Sequence, residues 1–198
     1  METTAYNSLQ RWAYELDGVF TIADLKVALN NKVEDTTYKQ LAMLVQSKGL
    51  IKVKRGMYAT PEATLAAISH RINPGAYIST GTVLAQNMMI GSVPARRLQA
   101  VKVGPPRIYS FELGTIEHLS IHPKLNFGFI PVNGILYANR EKAFLDTCYY
   151  HYKGKSFSFD PASDIHTQDL DWNQINRYLE HYDQRFVTYF NRLWRDHD

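Results

Sequence analysis

Cysteine is nearly absent from this chain, and long apolar runs are missing altogether. A single cysteine, Cys148, stands among 198 residues. A lone thiol excludes an internal disulfide and any zinc site built from several cysteines. The apolar runs are only a handful of residues long, well short of the ~18 that a membrane-spanning helix requires. The opening Met1-Glu2-Thr3-Thr4 lacks the charged-then-apolar pattern of a secretory signal, so a cytoplasmic location with no membrane partner is expected. No internal repeat or low-complexity tract is visible.

What is present suits a packed protein. Hydrophobic residues are 45% of the chain and charged ones 21%, enough apolar material to bury a core and too little charge for a disordered chain. The length fits one large domain or two small ones. Charge is unevenly spread. Residues 1–60 carry 8 Lys+Arg against 6 Asp+Glu, residues 61–155 carry 10 against 5, and residues 156–198 carry 4 against 8. A basic body with an acidic tail is compatible with a nucleic-acid partner.

The first 60 residues read as three helices and a hairpin. Leu9, Trp12, Ala13 and Leu16 recur on one face of a helix that Asp17-Gly18 stops. Thr21 and Asp24 have the spacing of a capping box for a second helix with Ile22, Leu25 and Leu29 inward. Asp35 is the expected N-cap of a third helix, with Tyr38, Leu41, Leu44 and Val45 as its apolar set. Lys48-Gly49 ends it, the glycine being free to take a left-handed conformation. Two short strands then flank Lys54-Arg55-Gly56.

Beyond Thr60-Pro61 the pattern is mixed. Helices are expected over 61–72 and 82–89, strands over 98–103, 108–113, 118–122, 127–132 and 135–137, and then a helix capped by Asn139 that runs to about Tyr152. Two terminal helices follow, over 172–182 and 184–194. This order predicts an α+β fold: a winged helix-turn-helix domain at 1–60 followed by a mixed α+β domain at 61–198.

A winged helix-turn-helix places the start of its third helix in the major groove and its hairpin against phosphate. The residues in those places are Thr36, Thr37, Tyr38, Lys39 and Gln40 on the helix, and Lys52, Lys54 and Arg55 on the wing. The threonines suit phosphate or a thymine methyl, Lys39 suits phosphate or guanine, and Gln40 has the donor–acceptor pair that adenine needs. A winged helix used for protein contacts would share the helix pattern; the wing cations favour duplex DNA. In the basic second domain, Arg96, Arg97, Arg140 and Lys142 are candidate contacts to DNA or a protein partner.

Three segments carry a family resemblance. Tyr77-Ile78-Ser79-Thr80-Gly81-Thr82-Val83-Leu84-Ala85 resembles a "tyrosine, extended, Ser-x-x-(Thr/Ala)-x-Leu" element of AbiEi-type antitoxins and related transcriptional regulators. Tyr137-Ala138-Asn139-Arg140-Glu141-Lys142-Ala143-Phe144-Leu145-Asp146 is similar to the same family's "A-x-x-E-(K/R)-A-(L/I)-x-D" helix, and Arg55-Gly56-Met57-Tyr58 resembles its "R-G-x-Y" wing. The resemblance implies a promoter-binding N-terminal module that represses its own operon. It also implies a C-terminal domain that supports neutralisation of a cognate toxin, usually nucleotidyltransferase-like, in a type IV toxin–antitoxin system. The segment from about 156 onward has no counterpart in it. A two-domain regulator whose second domain binds a ligand or protein is the alternative reading.

Catalytic readings are weaker. Cys148 lies mid-helix among apolar neighbours, where a structural thiol is expected. His118 and His122 could share a strand face, but two ligands are too few for a metal, and His151 and His166 have no ligand spacing. Gly104-Pro105-Pro106 lacks the N–H groups of a phosphate loop. Asp160, Asp164, Asp169 and Asp171 raise a metal-dependent nuclease, as do Glu141 and Asp146, but the aspartates lie in a Ser/Asp-rich connector that reads as solvated. No enzyme activity, metal or cofactor is expected.

Overall fold

The computed structural model describes residues 2–30 and 34–194. It is a mixed α+β fold. The chain divides into two compact units, residues 1–73 with 108–116 and residues 74–107 with 117–198.

The first unit runs α1 (Glu2–Glu15), β1 (Val19–Thr21), α2 (Ile22–Ala28), α3 (Glu34–Gln46), β2 (Ile51–Lys54), β3 (Met57–Ala59) and α4 (Leu65–Ile72). Its core is Leu9, Phe20, Leu25, Ala28, Leu41, Leu50 and Tyr58, with Trp12, Leu16, Leu44 and Val45 packed against them. Each fully buried large side chain of this kind contributes roughly 1.5–3 kcal/mol. The expected hairpin is part of a three-stranded sheet in the order β1-β3-β2. The third member, β1, pairs Val19 with Ala59 and Thr21 with Met57; at three residues it is too short to show an alternating pattern.

The capping box at α2 is present. Thr21 Oγ1 accepts from the Asp24 amide at 3.2 Å, and Asp24 Oδ2 accepts from the Thr21 amide at 2.7 Å. Arg71 on α4 also donates to Asp24, at 2.7 Å. Burial pulls the Asp24 carboxyl upward, but the Thr21 bonds and Arg71 outweigh it and hold the group below its usual value. Together with the Thr60 amide, which donates to the Gly18 carbonyl at 2.8 Å, these contacts carry the first unit past residue 60 to 73. The helix expected over 61–72 starts only at Leu65, because Thr64 Oγ1 accepts from the Ala67 amide at 3.1 Å and caps it there. After α3 the left-handed residue is Lys48, at φ 59°, and not the neighbouring glycine.

The second unit contains β4 (Tyr77–Ile78), α5 (Thr80–Gln86), β5 (Arg97–Val103), β8 (Phe129–Val132), β9 (Ile135–Ala138), α6 (Arg140–Tyr152), α7 (Trp172–Leu179) and α8 (Gln184–Trp194). With β6 (Arg107–Phe111) and β7 (Gly114–Ile121), its strands form a six-stranded sheet in the order β6-β7-β5-β4-β9-β8. The sheet is mixed, β4 lying antiparallel to β5 and parallel to β9. Helix α6 is buried at every position from Glu141 to Cys148. Its N-cap is Asn139, whose Oδ1 accepts from the Lys142 amide at 2.8 Å. Phe144 of α6 packs edge-on against Phe190 and Trp194 of α8, with ring centroids 5.7 and 5.8 Å away. Among the described residues no helix is long and apolar enough to cross a membrane.

Candidate nucleic-acid interface

Helix α3 presents a polar face because its apolar positions fall on one side. Leu41 is buried and Leu44 and Val45 are partly so, and the residue that completes this face one turn earlier is Thr37, which is fully buried. Tyr38, expected in the apolar set, is 48% exposed. The inward face is therefore Thr37, Leu41, Leu44 and Val45, shifted by one residue from the pattern expected of the sequence. The physical reason is that an aromatic ring outweighs a threonine methyl in apolar periodicity. Burial removes Thr37 from the surface a ligand could touch. It leaves Thr36, Tyr38 and Lys39 exposed and Gln40 half-buried. Helix α3 begins at Glu34, so Asp35 lies inside its first turn rather than at the N-cap.

The β2–β3 hairpin alternates in the same fashion. Ile51 and Val53 point into the core while Lys52 and Lys54 are exposed, and Arg55 at the tip is exposed too. The pairing register shifts between Lys52 and Lys54. Gly56 completes the turn at φ 77°, a conformation that costs a residue with a Cβ. The Tyr58 hydroxyl is pushed above its ordinary value by burial and by the neighbouring Tyr38.

Of the second-unit candidates, Arg96, Arg97 and Arg140 are exposed. Lys142 is not a surface contact. Its side chain is fully buried and pairs with the equally buried Asp146 one turn along α6. It also donates to the Tyr182 hydroxyl at 3.2 Å and lies 5.0 Å from the centre of the Phe127 ring. Asp146 accepts in addition from the Tyr77 hydroxyl at 3.0 Å and the Ser79 hydroxyl at 2.7 Å. Burial depresses the Lys142 ammonium below its ordinary value, although Asp146 works against that. The same burial, aided by Asp146, drives the Tyr77 hydroxyl well up. The two resemblance segments around Tyr77 and Lys142 thus meet in one buried polar cluster.

No family model matches the chain, and no curated protein matches it. Among solved structures, one similar in fold is the RV2827C protein from Mycobacterium tuberculosis, which superposes with a TM-score of 0.60 at 12% identity, over 94% of this chain and 76% of that one. At that identity the likeness speaks to the arrangement of elements alone.

Several of the carboxylates weighed as catalytic have local structural partners. Asp171 caps α7, accepting from the amides of Asn173 at 2.9 Å and Gln174 at 3.1 Å. Asp164 accepts from the Asp160 amide at 2.8 Å. Glu141 accepts from the Asp171 amide at 3.2 Å. Cys148 is fully buried, and burial drives its thiol well above the ordinary value. His118 is buried in β7, whereas His122 lies beyond the strand and caps a 3₁₀ turn through Nδ1, at 3.3 Å from the Lys124 amide. Burial, and secondarily Lys102, lowers His118 to about 4.

Proposed function

We propose that the chain is a DNA-binding, antitoxin-like transcriptional repressor of the AbiEi type, acting in the cytoplasm. On this reading the first unit is a winged helix-turn-helix. Helix α3 enters the major groove with Thr36, Lys39 and Gln40, and the β2–β3 hairpin sets Lys52, Lys54 and Arg55 against phosphate. The observation that carries it is the exposure of these cations and hydroxyls on two adjacent elements whose opposite sides are buried. Exposed Lys and Arg at a hairpin tip match the backbone-positioning contacts of such domains, and side chains on the first turns of a helix match the base-reading ones. The second unit, with the Tyr77–Lys142–Asp146 cluster at the meeting of its family-like segments, would support neutralisation of a nucleotidyltransferase-like toxin.

Two measurements test the two halves. Fluorescence anisotropy with duplexes from the chain's own promoter should reveal a segment bound at least ~10³-fold more tightly than unrelated DNA, the lower range for specific binding. Equal affinity for all duplexes would remove the repressor reading. Co-expression with the adjacent gene should relieve that gene's toxicity. Toxicity that persists at matched expression would remove the antitoxin half and leave the DNA-binding half standing.

A further inference from the structure

The segment from Lys155 to Phe159, Lys-Ser-Phe-Ser-Phe, has no role in the reading above. It lines a cavity of about 270 Å³ in the second unit, together with Thr82 and Arg97. The two phenyl rings, Phe157 and Phe159, lie 5.3 Å apart with a tilt of 36° and offer apolar faces. Phe159 comes so near α5 that a Cβ on Gly81 would stand 2.9 Å from its Cε1. Only glycine at that position lets the ring lie where it does.

The charges beside the rings are not evenly matched. Glu117 takes a hydrogen bond from Lys155 at 2.5 Å and another from Gln99 at 2.9 Å. Burial pulls its carboxyl upward, but these partners outweigh it and keep the group ionised. Arg97 is 3.7 Å from the same carboxylate, beyond hydrogen-bonding distance, and its side chain is half exposed. Lys155 and Arg97 together face one carboxylate, so the cluster keeps an excess positive charge, and the guanidinium is the less engaged of the two cations. A guanidinium presents a planar fork of donors that fits two oxygens of a phosphate at once. The hydroxyls of Thr82 and Ser158 also line the cavity.

We propose that this cavity binds a small organic anion that joins one planar ring to a phosphate, the nucleoside monophosphate class. The ring packs against Phe157 and Phe159, and the phosphate takes donors from Arg97, Thr82 and Ser158. Ligand sites combine apolar and aromatic walls with a few convergent polar groups, and the volume of about 270 Å³ falls just below their usual range of roughly 300–1,000 Å³, which suits one ring and one phosphate rather than a dinucleotide. The proposal rests on the second unit alone and is independent of the DNA-binding reading.

Isothermal titration of the full chain with adenosine monophosphate, adenosine and inorganic phosphate in separate arms tests it. The monophosphate should saturate a single site with a Kd on the order of 0.1–1 mM, at least ~10-fold tighter than either part alone. Arg97→Gln should weaken the monophosphate by about 10-fold with an unchanged melting temperature, because one charge-assisted contact is lost at an exposed side chain. Ser158→Asp, at an exposed position away from the core, should abolish binding by setting a carboxylate against the phosphate. Failure of the monophosphate to saturate overturns the proposal. So does inorganic phosphate or adenosine binding as tightly as the monophosphate, or full affinity retained in both variants.

Discussion

Lys142 and Asp146 form an ion pair with neither side chain exposed, one helical turn apart on α6. Taking two charges out of water costs several kcal/mol each, and mutual attraction offsets that only if the remaining donors and acceptors are satisfied. Here Tyr77 and Ser79 bond to the carboxylate, Tyr182 accepts from the ammonium, and the Phe127 ring lies beside it. Removing one partner strands the other. Lys142→Met should therefore destabilise the protein by about 3–5 kcal/mol. Lys142→Met with Asp146→Asn should cost less than the two single changes added together, since the double variant leaves no unpaired charge. Urea unfolding of the four proteins measures the coupling; a loss under ~1 kcal/mol in Lys142→Met would show that the pair is not what holds α6.

The wing cations should act on DNA of any sequence. If Lys54 and Arg55 both contact phosphate, replacing them with alanine lowers the slope of log affinity against log salt by about 0.9 per contact. Titrating salt against a promoter duplex and a random one gives both slopes. A slope unchanged in the double variant would place the wing off the DNA.

Helix α3 separates reading from folding. Lys39 is exposed, and Lys39→Ala should weaken operator binding by roughly 1–3 kcal/mol without moving the melting temperature. Leu41 is buried, and Leu41→Ala should cost about 2–5 kcal/mol of stability and lose DNA binding only as a result. Operator affinity measured beside thermal melting tells the two apart. Normal operator affinity in both Lys39→Ala and Gln40→Ala would make this module a protein-contact domain.

His118 makes stability depend on pH. In the unfolded chain its imidazole takes up a proton near the ordinary 6.5, while in the folded protein burial and Lys102 hold it to about 4. Between those values the unfolded state binds more protons, so stability falls as pH falls. The slope is about 1.4 kcal/mol per pH unit at most, on the order of 2–3 kcal/mol across the window, and it vanishes above the ordinary value. Urea midpoints for wild type and His118→Gln, taken from neutral pH down to about 4, should diverge in slope over that range. Parallel curves would mean the buried imidazole does not titrate as described.

How much of this was legible in the sequence depends on the element. The caps were: Thr21 with Asp24 and Asn139 with the Lys142 amide are local motifs whose partners lie three residues away. The inward face of α3 was legible except at its first position, where Thr37 and Tyr38 exchange places. β1 was not legible, since its pairing to β3 is a contact across some 40 positions and its three residues carry no period. Lys142 reads as a surface cation because lysine is almost never buried. A signal was nevertheless there: Asp146 stands at i+4 from it on a helix otherwise rich in apolar residues. The cavity wall was hidden for a related reason, as Phe157 and Phe159 sit in a stretch whose serines and aspartates suggest a solvated connector.

The enclosure of Lys142 also makes it a built-in chemical reporter. Amine-directed reagents need an accessible nitrogen, and the aromatic rings and the carboxylate around this one shut them out. The exposed lysines of the wing, Lys52 and Lys54, face water throughout. Labelling at Lys142 would then proceed only through openings of the second unit, at a rate set by how often α6 parts from its neighbours, while the wing lysines label at once. Mass spectrometry of a single labelling time course would read the opening of one unit against an internal clock supplied by the other.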